Sequence, residues 1–401
     1  MIKELYQTRY KEISLNITNG EIDSVRKKNT VRTGCRVYDN GYIGVAGVLG
    51  EPTEETWRAA EEALSQKVPY PYAVSGATQR VRMSGALPDQ NEFIRSVEYV
   101  LSTLKAEFPG YILSNKISAV EAAVRMENDL GLKLYDSKCV YEVGIVVKDE
   151  ASANVFDTFI FYVGELFDTE KILAIGREVL TAHSNPVPMP KENLPVIMDA
   201  DIIIGPFADA VNGMNLHKGA SLFSGKIGEK LFADHFGLEC SRREDTYNDF
   251  FDAEGTVLKG DAVSLFENGV LLRGTADKLC AAEFGAELTA SAVGAYDDVP
   301  VLGGAGTLRF VPNGSLDELL CGRDAIAVIS ASGGDTTPAG DFATPVQTAY
   351  IYRDGKLVAR LPEFNFGGNL FRMFGEDYIG CAKEKFFSGS AQTLVLKGDI
   401  R

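Results

Sequence analysis

A proline-dense stretch, SNPVPMPKENLP, cuts the chain near its middle, with prolines at positions 186, 188, 190 and 195. Proline fixes φ and removes a backbone donor, so neither a helix nor a central strand can run through such a segment. Pro-rich stretches act as semi-rigid spacers and common domain boundaries. A chain of 401 residues is also too long for one small core. The break therefore predicts two domains, 1–188 and 189–401. A hydrophobic content of 45% is enough for two cores.

The two sides of the break carry different patterns. Before it, alternating runs are followed by helices, twice over. Asn19-Gly20 and Asn40-Gly41 each sit between alternating runs, the strongest short hairpin signal. EETWRAAEEALSQK follows Thr53, a good N-cap. DQNEFIRSVEYVLSTLKAEF is capped by Asp89 and stopped by Pro109-Gly110, and Phe93, Val97, Val100, Leu101 and Leu104 give it one apolar face. Three long strand patterns come next, around 111–131, 132–150 and 153–166, then the helix DTEKILAIGREVLTAHS. Beyond the prolines glycine is frequent and long helices are scarce. AVSLFENGVLLRG, TLRFVPNGS, DAIAVISAS, TAYIYRDGKLVARL and AQTLVLKGDI read as strands, with turns expected at Asn268-Gly269, Asn313-Gly314 and Asp354-Gly355. The fold class is α+β: an N-terminal α/β domain of antiparallel meanders plus helices, and a β-rich C-terminal domain.

The formal net charge of −16 disfavours a direct grip on nucleic acid, which needs Lys and Arg to neutralise phosphates. No stretch reaches 18 uninterrupted apolar residues, and MIKELYQTRYKEISL lacks a signal-peptide apolar core, so no membrane role is expected. The six cysteines contain no CxxC pair, and the reading is a cytoplasmic protein with reduced thiols.

The richest chemistry lies in NLHKGASLFSGKIGEKLFADHFGLEC, residues 215–240, which holds His217, His235, Glu229 and Cys240. On one helix the two histidines would stand roughly 27 Å apart at about 1.5 Å per residue, far beyond joint reach of a zinc ion. No HExxH or HExxxH occurs. The stretch reads instead as a helix from Ser224 to Phe236, capped by Ser224, with Ile227, Leu231, Phe232 and Phe236 on one face, His235 in its last turn and Gly237 beyond it. GASLFSGKI has five residues, not four, between its first glycine and Gly225-Lys226, and Ile227 stands where a P-loop needs a hydroxyl. No GxSxG elbow is present. Cys240 with His217 or His235 stays open as a nonstandard nucleophilic pair, because such pairs form in space. The acidic run EDTYNDFFDAEG lacks the calcium-loop order and reads as a solvated turn.

Several segments in order resemble the TldD/PmbA family, historically named for modulation of DNA gyrase. They are TGCRVYDNGYIGVA, GASLFSGKIGEKLFADHFGLE, FFDAEGTVLKGDAVSLFENGVLLRGTADKLCAAEFG, TLRFVPNGSLDELL and ASGGDTTPAGDFATPVQTAYIYRDGKLVARLPEFNFGGNLFRMF. The resemblance covers nearly the whole chain, most specifically residues 213–284. It implies a metallopeptidase-related fold with an N-terminal α/β domain and a β-rich C-terminal domain. The TldD branch carries HExxxH on a helix; the PmbA/TldE branch lacks those ligands and pairs with a TldD subunit. Set against that motif, this chain places Ser224, Gly225, Lys226, Gly228 and Glu229 where the zinc helix is expected. The resemblance implies no cofactor in this chain, zinc in a partner subunit, and a TldD-like metallopeptidase or a second copy as partner, acting on peptides. A self-sufficient Cys/His peptidase built on His217, His235 and Cys240, and a protein-binding factor acting on gyrase, are the alternatives.

Overall fold

The computed structural model describes residues 1–386 and 392–401. Its first half is dominated by long strands joined by tight turns. β1 (Ile2–Thr18) and β2 (Glu21–Asp39) pair antiparallel along their whole length. Asn19 and Gly20 take positive φ at the turn, as do Asn40 and Gly41 before β3 (Tyr42–Leu49). Asn and Gly are the residues that tolerate this left-handed geometry, and it matches the strand twist. α1 (Glu54–Ala63) starts at Thr53, whose capping box closes on Thr56. β4 (Val68–Pro69), β5 (Gln79–Ser84), α2 (Gln90–Glu107), β6 (Tyr111–Asn128), β7 (Lys133–Asp149), β8 (Thr158–Gly164) and α3 (Thr169–His183) complete this half. The strands form one sheet in the order β4-β3-β2-β1-β6-β7-β5, with β8 also on β7; only β5 runs parallel to its partner.

α2 buries the five apolar residues that its spacing picks out. They pack with Leu15, Ile117, Val143 and Ile145 on one sheet face and with Ile172, Leu173 and Leu180 of α3. Apolar burial of this kind contributes about 25 cal/mol per Å², and it secures both helices to the sheet.

The second half opens with β9 (Val196–Asp199) and two short helices, α4 (Ile204–Val211) and α5 (Gly213–His217). β10 (Leu238–Ser241), β11 (Ala262–Glu267), β12 (Val270–Leu271), α6 (Lys278–Phe284), β13 (Ala292–Val293), β14 (Val301–Leu302), β15 (Leu308–Phe310) and α7 (Leu316–Leu320) follow. Then come β16 (Ala325–Ala331), β17 (Asp335–Thr336), β18 (Asp341–Arg353), β19 (Lys356–Arg360), β20 (Phe364–Asn369), α8 (Leu370–Met373), β21 (Tyr378–Ala382), β22 (Thr393–Leu396) and β23 (Asp399–Ile400). A nine-stranded sheet runs β21-β22-β9-β16-β18-β20-β23, with β17 and β19 also on β18, and β10, β11, β12 and β15 form a four-stranded one. The molecule is α+β, with mainly antiparallel sheets.

Two turn expectations hold. Asn268-Gly269 joins β11 to β12 and Asp354-Gly355 joins β18 to β19, all four residues with positive φ. The third does not: Gly314 forms a lone bridge to Ala382, and the segment leads into α7, capped by Ser315, rather than closing a hairpin. Of the strand pattern AQTLVLKGDI, Ala391 lies outside the described residues.

Candidate functional site

No helix spans Ser224 to Phe236. The segment is a chain of turns whose backbone docks onto the β11–β12 hairpin. Gly228 N donates to Leu271 O (2.8 Å), Leu231 N to Gly269 O (2.8 Å), Leu271 N to Glu229 O (3.1 Å) and Gly269 N to Phe236 O (2.9 Å). Gly225 and Gly228 have φ of +77° and +88°, incompatible with a right-handed helix. Gly269 is obligatory at the contact: a Cβ there would stand 2.3 Å from the carbonyl oxygen of Phe232.

Each family-motif position therefore sits on a turn. Ser224 Oγ accepts from Ser221 N at 3.0 Å instead of capping a helix. Lys226 and Glu229 face each other at 4.0 Å, both with exposed side chains, and a pair of this kind is worth little. The apolar spacing nevertheless marked real anchors. Phe232 and Phe236 are buried with Phe223, while Ile227 is 46% exposed. Their rings surround Phe207 of α4, together with Phe310 and Phe374. The only helices in this part of the chain are α4 and α5, so a helix-borne motif has only those to map onto. α4 reads IGPFADAV and α5 GMNLH.

The three residues of the nonstandard pair are not brought into one site. His217 stacks on Phe284 (4.7 Å between centroids) and His235 on Tyr378 (5.1 Å). Cys240 is fully buried, with Ser291 Oγ 3.6 Å from its sulfur. Burial pushes its thiol up, away from the thiolate a nucleophile needs. Among the described residues no group of three or more His, Cys, Asp or Glu side chains could hold a metal ion.

What α4 does border is a cleft of about 690 Å³. One wall is Gly205, Pro206 and Asp209 of α4 with the loop 219–222; the other is the turn 334–338. Ser221 stiffens the first wall: its hydroxyl donates to Ala210 O and accepts from Phe223 N at 3.0 Å. A second cleft of about 700 Å³ lies on the far side of the same turn, reaching Phe342, Asn365 and Arg372. Asp335 and Thr337 line both. β17 between them pairs with β18 on one side only, among the described residues. The cleft residues Asp209, Ser221, Asp335 and Thr337 escaped the motif search. The dense glycines and proline of SGGDTTPAGD were the only local signal.

The acidic run is also placed differently from its expectation. Its last part is not a solvated turn: Asp252 and Glu254 are 3% and 4% exposed. Asp252 accepts from the backbone N–H groups of Glu254 (2.9 Å), Thr256 (2.8 Å) and Ala292 (3.1 Å). Glu254 accepts from the Tyr70 hydroxyl (2.8 Å) and Lys278 N (2.9 Å). Burial pushes the Glu254 carboxyl up to about 7. Nearby, Arg36 donates to Ala253 O (2.6 Å) and pairs with Glu4 (3.4 Å), so the run forms the seam between the two halves. A sequence pattern registers carboxylates but not the remote Tyr70, Lys278 and Ala292 donors that help to absorb them.

Comparison with known proteins follows the same geography. Residues 191–394 match the model of the PmbA/TldA metallopeptidase C-terminal domain, and residues 4–66 match that of metallopeptidase domain 1. An uncharacterized protein of Methanocaldococcus jannaschii is 23% identical over 409 aligned positions, covering 97% of this chain and 94% of its own. The structure of TldE from Thermococcus kodakarensis superposes with a TM-score of 0.78 at 18% identity, covering all of this chain and 96% of that one. A candidate modulator of a DNA gyrase from Thermotoga maritima gives 0.78 at 17% identity, with the same coverage. At these identities the two structures establish the fold alone. Among the described residues no helix is long and apolar enough to cross a membrane.

Proposed function

The chain belongs to the PmbA/TldD metallopeptidase family, and from that premise we propose that it is a TldE-like, non-catalytic subunit of a zinc metallopeptidase assembly acting on peptides. One observation carries the reading. The helix that borders the first cleft, IGPFADAV, offers Asp209 as its sole ionisable side chain. Zinc chemistry needs three protein ligands and a general base around an open position, and this helix supplies neither set. The metal, the base and the polarised water would come from a partner subunit.

In such an assembly this chain would hold substrate. β17 presents an open backbone edge between two clefts, and an extended peptide can add to an open edge as another strand. The small residues of the walls, Gly205, Gly219, Ala220 and Gly334, leave room for its side chains. A self-sufficient Cys/His peptidase is disfavoured by the separate burial of Cys240 and the stacking of His217 and His235 on other rings.

The test is to purify the chain alone and with a metal-bearing family member. Zinc content is measured by mass spectrometry and peptide hydrolysis by fluorescence. The expected result is no stoichiometric zinc and no hydrolysis alone, with co-purification and chelator-sensitive hydrolysis in the pair. Stoichiometric zinc and chelator-sensitive hydrolysis by this chain alone would overturn the proposal. Capture of gyrase with no effect on any peptidase would favour the regulatory alternative.

A further inference from the structure

A pocket of about 390 Å³, separate from the clefts around β17, lies where the proline stretch meets the nine-stranded sheet. Its walls are the Asn154–Asp157 loop, residues 186–188, and the chain around Arg360. Two backbone bonds fix that last wall: Val187 N donates to Arg360 O, and Arg360 N to Asn185 O, each 2.9 Å.

The Arg360 guanidinium is held by an uncharged group. Its Nη1 lies 2.9 Å from His183 Nε2. A guanidinium only donates, so Nε2 is the acceptor and His183 Nδ1–H faces the Tyr350 hydroxyl at 3.2 Å. Tyr350 in turn donates to Thr158 Oγ1 at 2.8 Å. His183 is 2% exposed; burial and the neighbouring Arg360 both lower its pKa, in keeping with a neutral ring.

Among the described residues no carboxylate lies within ion-pairing distance of Arg360, although Asp157 and Glu363 line the same pocket. The Asp157 carboxylate is committed to Asp149 N (2.8 Å), Ser152 Oγ (2.7 Å) and Asn154 Nδ2 (3.1 Å). Gln347, on another wall, bonds Ser332 through one end of its amide, while the other end is buried without a partner. The pocket thus combines an oriented guanidinium that has no close ion pair among the described residues with an unsatisfied amide oxygen. Arginine binds carboxylates as a two-pronged donor, and a buried orphan polar group favours a ligand that satisfies it.

We propose that this pocket binds a free α-carboxylate, of a peptide C-terminus or an amino acid, on Arg360, with the ligand's adjacent N–H on Gln347. The site is independent of any zinc subunit. Calorimetry on the full chain would compare N-acetyl-alanyl-alanine, its C-terminal amide and free alanine. The acid should bind about tenfold or more tighter than the amide, the scale of a charge-assisted pair. R360Q should abolish that preference. R360K should retain part of it, because lysine keeps the charge and loses the fork. Melting temperatures of both variants establish that they are folded. Tighter binding of the dipeptide points to peptide ends, and equal binding of alanine to amino acids; either upholds the site. Equal binding of acid and amide, no binding of either acid at millimolar concentration, or an unchanged preference in folded R360Q would overturn it.

Discussion

α2 and the segment 224–236 carry the same apolar spacing, yet one is a helix of 18 residues and the other a chain of turns. The difference lies in where the backbone finds its partners. In α2 the chain bonds itself, Asp89 takes the first free amides (Asn91 N at 3.0 Å, Glu92 N at 3.1 Å), and no glycine interrupts. In 224–236 two glycines at positive φ turn the chain, and the amides reach a hairpin more than thirty residues away. Apolar spacing reports which side chains are buried. It reports helix only when nothing nearby competes for the backbone.

The largest effects should come from the anchors the two regions share in kind. Phe232→Ala should cost about 3–5 kcal/mol and Leu101→Ala about 2–5 kcal/mol in denaturant unfolding. A near-neutral Phe232→Ala would mean the turn segment is not anchored, and the comparison would break. Gly269→Ala comes next, at about 2–4 kcal/mol, because it combines a positive φ with a carbonyl contact. Hydrogen exchange should then quicken at the amides of Gly228 and Leu231 while α2 stays protected.

Glu254 extends the contrast to a charge whose surroundings the sequence conceals. Its folded pKa of about 7 lies above the ordinary 4.5. The group therefore favours the fold fully below pH 4.5, and that contribution is lost as pH rises through about 7. The loss is at most about 3 kcal/mol. Unfolding free energies at pH 5 and 8 should show a shallower slope in Glu254→Gln than in the parent chain. An identical slope would remove Glu254 as its source.

Gly228→Ala gives a test of sign. In a helix interior the change would stabilise by about 1 kcal/mol; at φ +88° it should destabilise by about 1 kcal/mol. The smallest contrast is between caps. Asp89→Ala should cost about 1 kcal/mol, and Ser224→Ala less, since Ser224 accepts a single amide in a turn. Equal costs would argue that Ser224 caps after all.

Much of the fold was legible locally. The Asn-Gly hairpins, the face of α2 and the three strands after it depend on residues within a turn or two of one another. HExxxH is absent from the sequence itself, so the chain's lack of that zinc motif needed no structure. The cleft was not legible, because α4 and the turn 334–338 lie more than a hundred residues apart and share no motif. His183 read as the end of a helix, which it is; only the fold sets it against Arg360, 177 positions away.

The sequence by itself determined the elements whose hydrogen bonds close nearby: the Asn-Gly hairpins and the capped helices α1 and α2. Tertiary structure decided the fate of every group whose partner is distant. It set residues 224–236 on a hairpin, buried Asp252 and Glu254 against Ala292, Tyr70 and Lys278, and placed Arg360 on His183. The physical reason is common to all three. Backbone and charged groups must be satisfied somewhere, and a linear pattern records the need without recording which remote segment meets it.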